Sequence, residues 1–148
     1  HIQLAGAGWR NSALYINTQG NDAIGNLGVL NYVPSIDTPE NIAFQSKFNS
    51  VYGRMASEFG VAAYDSARLI VEALSATGGK TENKEALVKE MQQVRFNGPR
   101  GPFRIDPLTN NVIQNIYIFR VEQQNKDVMA VVQDVITDVQ DPPNGCFL

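Results

Sequence analysis

The sequence holds one cysteine and one histidine, and both stand near its ends, at positions 146 and 1. No internal disulfide or cysteine-cluster metal site can form within one chain, and no second histidine exists for a triad or a histidine metal site. Charge is also sparse. Charged residues make up 18%, the 12 Lys and Arg are scattered, and the net charge is −3. No basic stripe is available to neutralise nucleic-acid phosphates or to hold an anionic bilayer, which excludes a nucleic-acid partner. No apolar run approaches the ~20 residues that a membrane-spanning helix needs. Repeats and low-complexity runs are missing too. The chain opens His1-Ile2-Gln3-Leu4 without a start Met, a basic segment or a signal core. It therefore reads as a piece of something longer, and the lack of a signal is silent on export.

What is present is enough for an ordered domain. Hydrophobic residues make up 43% of the 148, with 7 Phe, 5 Tyr and 1 Trp. At this size a chain can bury roughly 68–70% of its unfolded surface, which offsets the entropy of ordering it. The pattern is one continuous α/β piece. Leu27 to Tyr32 fits a short buried strand ending near Pro34, and Asn11 to Gly20 has room for a short helix. Asp37-Thr38-Pro39-Glu40 places a capping residue before a proline and an acid, which starts a helix over 39–52 with Gly53 as its stop.

In that helix Phe44, Phe48, Val51 and Tyr52, with Met55 beyond, form an apolar stripe expected to be buried. A second helix over 59–77 carries Phe59, Ala63, Ala67, Ile70 and Leu74 at helical spacing, with Asp65, Arg68 and Glu72 pointing elsewhere, and Gly78-Gly79 ends it. A third over 84–93 turns Leu87, Met91 and Val94 to a core. Asn97 to Pro102 holds two prolines and two glycines and must be a tight turn. Strands follow at Phe103–Ile105, at Val112–Glu122 after a turn over Asp106 to Asn111, and at Val128–Val135. Asp141 to Gly145 is an irregular tail.

In its order and wording the chain resembles the solute-binding proteins of ABC importers, of the branched-chain-amino-acid type. The likeness runs through Gly28-Val29-Leu30-Asn31-Tyr32-Val33-Pro34, the helix ending Tyr52-Gly53, and Ala63-Tyr64-Asp65-Ser66-Ala67-Arg68-Leu69-Ile70. It continues through Gly78-Gly79-Lys80 and Phe96-Asn97-Gly98-Pro99-Arg100-Gly101-Pro102-Phe103-Arg104-Ile105-Asp106. The stretch from Asp106-Pro107 to Asn111-Val112, then Tyr117-Ile118, is similar to the subgroup that imports aromatic acids. The resemblance implies the α/β type I periplasmic binding fold, two Rossmann-like lobes joined by a hinge, with this chain as its C-terminal part. Residues 1–33 would finish the second lobe, 34–96 would form part of the first, and 97–148 would return through the hinge to the second. The missing N-terminal portion would supply the first strands of both lobes, so unpaired strand edges are expected here.

The mechanism so implied is hinge closure on a small solute, which a membrane permease then receives. In amino-acid-binding relatives the stretch after the Gly6-Ala7-Gly8 turn supplies an acid for the ligand ammonium, but here Gly8 or Trp9 stands in its place. That departure suits an aromatic or apolar carboxylate, with Trp9 stacking and Arg10 pairing the charge. Packing for Trp9 and solvation for Arg10 are the alternative. Phe59 matches a pocket-wall aromatic of the family, or else is a core residue on its stripe. Tyr32 either lines the cleft or is a buried strand tyrosine. Tyr64 and Asp65 read as fold residues, with Asp65 solvated.

For catalysis the inventory does not supply a nucleophile, base and oxyanion donor, although a carboxylate pair such as Asp106 with Asp65 stays open on sequence alone. The expectation is a binding protein of the periplasm or another extracytoplasmic space, with no enzyme activity, metal or cofactor. A ligand-sensing domain of the same fold in a receptor or regulator, and a hydrolase of unrelated type, are the rivals.

Overall fold

A computed structural model describes residues 4–142. His1, Cys146 and the expected tail beyond Pro142 lie outside them. Six strands form one mixed sheet in the order β1 (Ala5–Ala7), β2 (Leu27–Leu30), β5 (Val112–Gln124), β4 (Gly101–Ile105) and β3 (Arg95–Gly98), with β6 (Asp127–Val139) also paired to β5. Only β1 and β2 run parallel.

The long strand β5 organises everything else. Val112–Gln114 pair with β4, Tyr117–Arg120 pair with β2 along the same edge, and β6 occupies the other edge. Where β5 passes from one partner to the next, its register with β6 is interrupted between Gln114 and Ile116, and a second break follows between Ile118 and Phe119 within the stretch paired with β2. Alternation along β5 buries Tyr117, Phe119 and Val121. Both long strands run beyond the expected limits because Asn125, at φ 58°, closes a tight β5–β6 hairpin.

Two apolar clusters lie along this frame. One gathers Leu30, Tyr32, Val33, Phe119 and Val121 around β2, β5 and β6, and it reaches Val61. The other packs Ala73, Val94, Phe96, Phe103 and Ile105, with Leu87 and Met91 against it. A fully buried Val or Phe here contributes roughly 1.5–3 kcal/mol. Close approach sets limits: a Cβ on Gly28 would lie 2.2 Å from the Phe119 ring.

Local signals placed the helices well. α2 (Pro39–Tyr52) begins with Thr38 Oγ1 accepting the Asn41 amide at 3.3 Å and ends at Gly53, φ 65°. α3 spans Glu58–Ala76, and α4 spans Lys84–Gln93, where Asn83 Oδ1 accepts the Ala86 amide at 2.9 Å. Within Asn11–Gly20 the helix is a single turn, α1 (Ile16–Gln19), flanked by 3-10 turns at Gly8–Asn11 and Gly20–Ala23.

The expected faces of α2 and α3 are overturned in part: Phe44, Phe48 and Leu74 are half-buried, and Phe44 packs against the first cluster, but most of the two stripes turns outward. On α2 the buried residues are Asn41 and Gln45, while Val51 and Tyr52 are 66% and 63% exposed and Met55 is exposed too. On α3 the buried residues are Glu58, Val61, Asp65 and Ala73, whereas Phe59, Ala63, Ala67 and Ile70 face out. The reason is chemical. Asn41, Gln45 and one oxygen of Asp65 meet partners in Tyr32, backbone carbonyls and Arg100, which compensates their burial, while Glu58 Oε1 and Asp65 Oδ1 have none among the described residues. The expected turn over Asn97 to Pro102 is also narrower, because Asn97 and Gly98 end β3 while Gly101 and Pro102 begin β4, leaving Pro99-Arg100 as the turn itself.

Candidate functional site

Gly8 begins the site. It follows the carboxyl end of β1, and a Cβ there would meet Leu30 Cγ at 2.3 Å and the Val29 carbonyl oxygen at 2.8 Å. Without a side chain, the 3-10 turn Gly8–Asn11 folds tightly over β2 and presents Trp9 outward, 51% exposed. Phe59, 50% exposed near the start of α3, meets it across fifty positions of sequence, with ring centroids 5.5 Å apart and planes at 33°. Arg10, next in sequence, is exposed and borders a hollow along β1 with Leu4, Asn26 and Leu27, and its carbonyl accepts from Gln19 Nε2. Three of the expected residues are therefore contiguous, and Phe59 joins them.

Tyr32 sits elsewhere. It is 1% exposed, and its hydroxyl donates to Asn41 Oδ1 at 2.8 Å and accepts from Gln45 Nε2. Burial pushes its pKa upward, and the nearby Asp65 and Glu58 carboxylates push the same way while the Gln45 bond opposes them. Gln45 also brackets Ala56, donating to its carbonyl at 3.1 Å and accepting its amide at 2.8 Å. Tyr32 thus acts beneath the surface, fixing the segment that leads into Phe59.

The first turn of α3 has a free character. Ser57, its N-cap, makes no side-chain cap bond, and the first amides of any helix lack intrahelical acceptors. Those amides, with the positive end of a 19-residue helix, lie beside the Trp9–Phe59 pair and suit a carboxylate. The strand ends, the helix start and the two rings converge at the carboxyl side of a parallel pair, the usual ligand position in open α/β sheets.

Sequence reasoning missed the burial of two carboxylates on α3. Glu58 is 5% exposed, and its Oε1 has no hydrogen-bond partner among the described residues. Asp65, expected to be solvated, is 0% exposed and accepts from Arg100 Nε at 2.6 Å. Burial raises its pKa, and Arg100 then Arg68 counter that rise. A charged residue on a helix gives no signal of burial when its partner lies 35 positions away. Asp106, the other half of the open carboxylate pair, belongs to the β4–β5 turn, where it accepts the Leu108 amide at 2.9 Å, Thr109 Oγ1 at 3.0 Å and Gln140 Nε2 at 2.9 Å.

A larger apolar groove of about 630 Å³ lies on the flank of α2 and α3, lined by Phe44, Phe48, Tyr52, Tyr64 and Pro99. Its rings touch one another, Phe44 to Tyr64 at 4.9 Å and Phe48 to Tyr52 at 4.5 Å. It lies between helix flanks, and the end of β3 at Asn97 and Gly98 borders it.

Comparison with known proteins identifies the family and the fold. The sequence model of a family described as periplasmic binding protein matches residues 2–127. A Leu/Ile/Val-binding protein homolog 6 from Brucella abortus (strain 2308) is 34% identical over 122 residues, 81% of this chain but 31% of the relative. An ABC transporter substrate-binding protein from Sphaerobacter thermophilus superposes with a TM-score of 0.88 at 33% identity, covering 93% of this chain and 38% of its own. A solute binding protein of an ABC transporter from Rhodopseudomonas palustris BisB5, in complex with 3,4-dihydroxy benzoic acid, gives 0.90 at 30% identity, covering 95% and 39%. The chain therefore spans about a third of the length of the curated relatives it matches, and its fold is the type I periplasmic binding fold.

Proposed function

Because the chain belongs to the periplasmic binding protein family, we propose that it is the C-terminal part of the extracytoplasmic solute-binding component of an ABC importer. Its solute is a small aromatic carboxylate, held as two lobes close, and the closed form is what the permease receives. Residues up to 33 finish the second lobe, 34–96 belong to the first, and the strands from 97 onward return through the hinge. The outer edges of β1 and β3 support this division, since among the described residues each pairs on one side only, and so does the short span of the relatives covered.

The observation that carries the reading is the Trp9–Phe59 pair beside the uncapped start of α3. An aromatic ring stacks on exposed aromatic faces, and a carboxylate is stabilised by helix N-terminal amides and by Arg10. The stretch Gly8-Trp9-Arg10 offers no acid to pair an ammonium group, and the carboxyl of Glu58 is buried. That combination favours an aromatic acid over an α-amino acid. The match to a protein holding 3,4-dihydroxy benzoic acid supports the same choice.

Binding acts by differential affinity: a solute that touches both lobes stabilises the closed state by what it gains there alone. Calorimetric titration of the full-length protein with 3,4-dihydroxybenzoate and with leucine tests the proposal. Saturable binding of the aromatic acid, recovered unchanged after denaturation, is expected. Binding of leucine alone would refute the solute class, and consumption of the bound acid would refute the receptor role.

A further inference from the structure

We propose that Arg100 is a positioning residue for the clamp, fixing the angle between the β1–β2 end of the sheet and the β3–β4 end and thereby setting how well the cleft closes. The inference rests on the clamp reading above. Arg100 is the second residue of the two-residue turn between β3 and β4, and it is 6% exposed. Its Nε donates to Asp65 Oδ2 of α3 at 2.6 Å, and its Nη1 donates to Gln114 Oε1 of β5 at 2.8 Å. The same Gln114 oxygen accepts Asn31 Nδ2 at 3.2 Å. Tyr117, on β5 as well, donates its hydroxyl to the Arg100 carbonyl at 2.9 Å.

The position of this relay gives it its role. Gln114 is the last β5 residue paired with β4, and Asn31 is the first residue after β2, whose last residue pairs with Tyr117. The relay therefore bridges the place where β5 passes from one neighbour to the other and where its register with β6 breaks. Any rotation of one sheet end against the other must stretch Asn31–Gln114 or Gln114–Arg100. A buried ion pair contributes little net stability compared with apolar side chains of the same shape, but its bonds are directional. A guanidinium is planar and rigid, so two of its nitrogens hold Asp65 and Gln114 at a set angle, which a lysine ammonium cannot do. Gly98 completes the arrangement, because a Cβ there would lie 2.8 Å from Asp65 Oδ1.

The test uses the full-length protein with Cys146→Ser and spin labels on Asp22→Cys and Lys80→Cys, both exposed positions. Label distances are read by pulsed electron paramagnetic resonance with and without 3,4-dihydroxybenzoate. Arg100→Gln is expected to broaden the solute-free distances and to weaken solute affinity by about tenfold, as a shift in the competent population would. Arg100→Lys, which keeps one arm, is expected to fall between. Solute-free distances in Arg100→Gln that match the unsubstituted protein would overturn the proposal, whatever the change in melting temperature. Should Arg100→Gln fail to fold, Asn31→Ala removes only the outer bond, and the same distances decide in the same way. Failure of the unsubstituted protein to bind the acid would sink the solute reading instead, and the solute-free distances would still decide the relay.

Discussion

Removing the Trp9 indole takes away a ring that is half in solvent and rests on Phe59. Trp9→Ala in the full-length protein should weaken aromatic-acid binding by roughly tenfold, since one aromatic pair is worth about 0.5–1.5 kcal/mol beyond its area. Its melting temperature should move little. Calorimetry beside a thermal melt separates the two, and equal loss of both would assign Trp9 to packing. Gly28→Ala should behave in the opposite way, leaving the site untouched but destabilising the fold by about 1–3 kcal/mol, because its methyl group enters the Phe119 ring. Denaturant titration measures that cost. Asp106 gives a pH signature. Its three accepted bonds, led by the Leu108 amide, hold its pKa below the ordinary 3.8. A depressed acid stabilises the fold above the unfolded value, and the gain fades as pH falls through the folded one. Asp106→Asn should therefore melt below the unsubstituted protein at neutral pH, and the gap should narrow as the pH drops beneath 3.8. At this scale the sequence revealed Trp9 and Phe59 through residue type and likeness. Asp65 stayed hidden, because its burial depends on Arg100 far along the chain.

Among the elements, capping separates two helices that look alike in sequence. Thr38 and Ser57 both precede an acidic first turn, yet only Thr38 makes a side-chain cap bond. Thr38→Ala should cost about 1 kcal/mol and Ser57→Ala only a small fraction of that, both measured by chemical denaturation. Equal costs would mean that the Ser57 hydroxyl caps α3 after all. Caps are local, and that is why the bounds of α2 were readable from Thr38-Pro39 and Gly53. Faces are not local. The apolar spacing of α2 and α3 marked a stripe correctly, but spacing says nothing about what stands opposite it. Here Asn41, Gln45 and Asp65 turn inward because Tyr32, backbone carbonyls and Arg100 wait for them. The sheet showed the same split: β2, β4, β5 and β6 were visible as apolar or alternating runs, whereas β3, read in part as a turn, and the sharing of β5 between β2 and β4 were not, since that pairing joins residues nearly ninety positions apart.

For the molecule as a whole, the stripe that turned outward becomes informative. Phe44, Phe48, Val51, Tyr52 and Tyr64 form a continuous apolar groove, while all three residues of the parallel strand β1 are exposed. Parallel strands are normally covered on both faces, and open apolar surface of this kind marks an interface. In the proposed two-lobed protein the N-terminal portion covers both surfaces, so the 148 residues alone should behave as an incompletely covered fold. Expressed by themselves, they should bind 8-anilinonaphthalene-1-sulfonate strongly and sediment as a mixture of associated species; the full-length protein should do neither. Exposed apolar surface binds the dye, and an open strand edge templates pairing with a second chain. Val51→Lys with Tyr52→Lys, placed on the exposed stripe, should reduce both effects in the isolated piece. In the full-length protein the same pair should lower stability, because there it would bury charge. A monomeric, dye-free isolated piece would show that these faces need no cover, and the assignment of the chain to one part of a larger clamp would lose its strongest physical support.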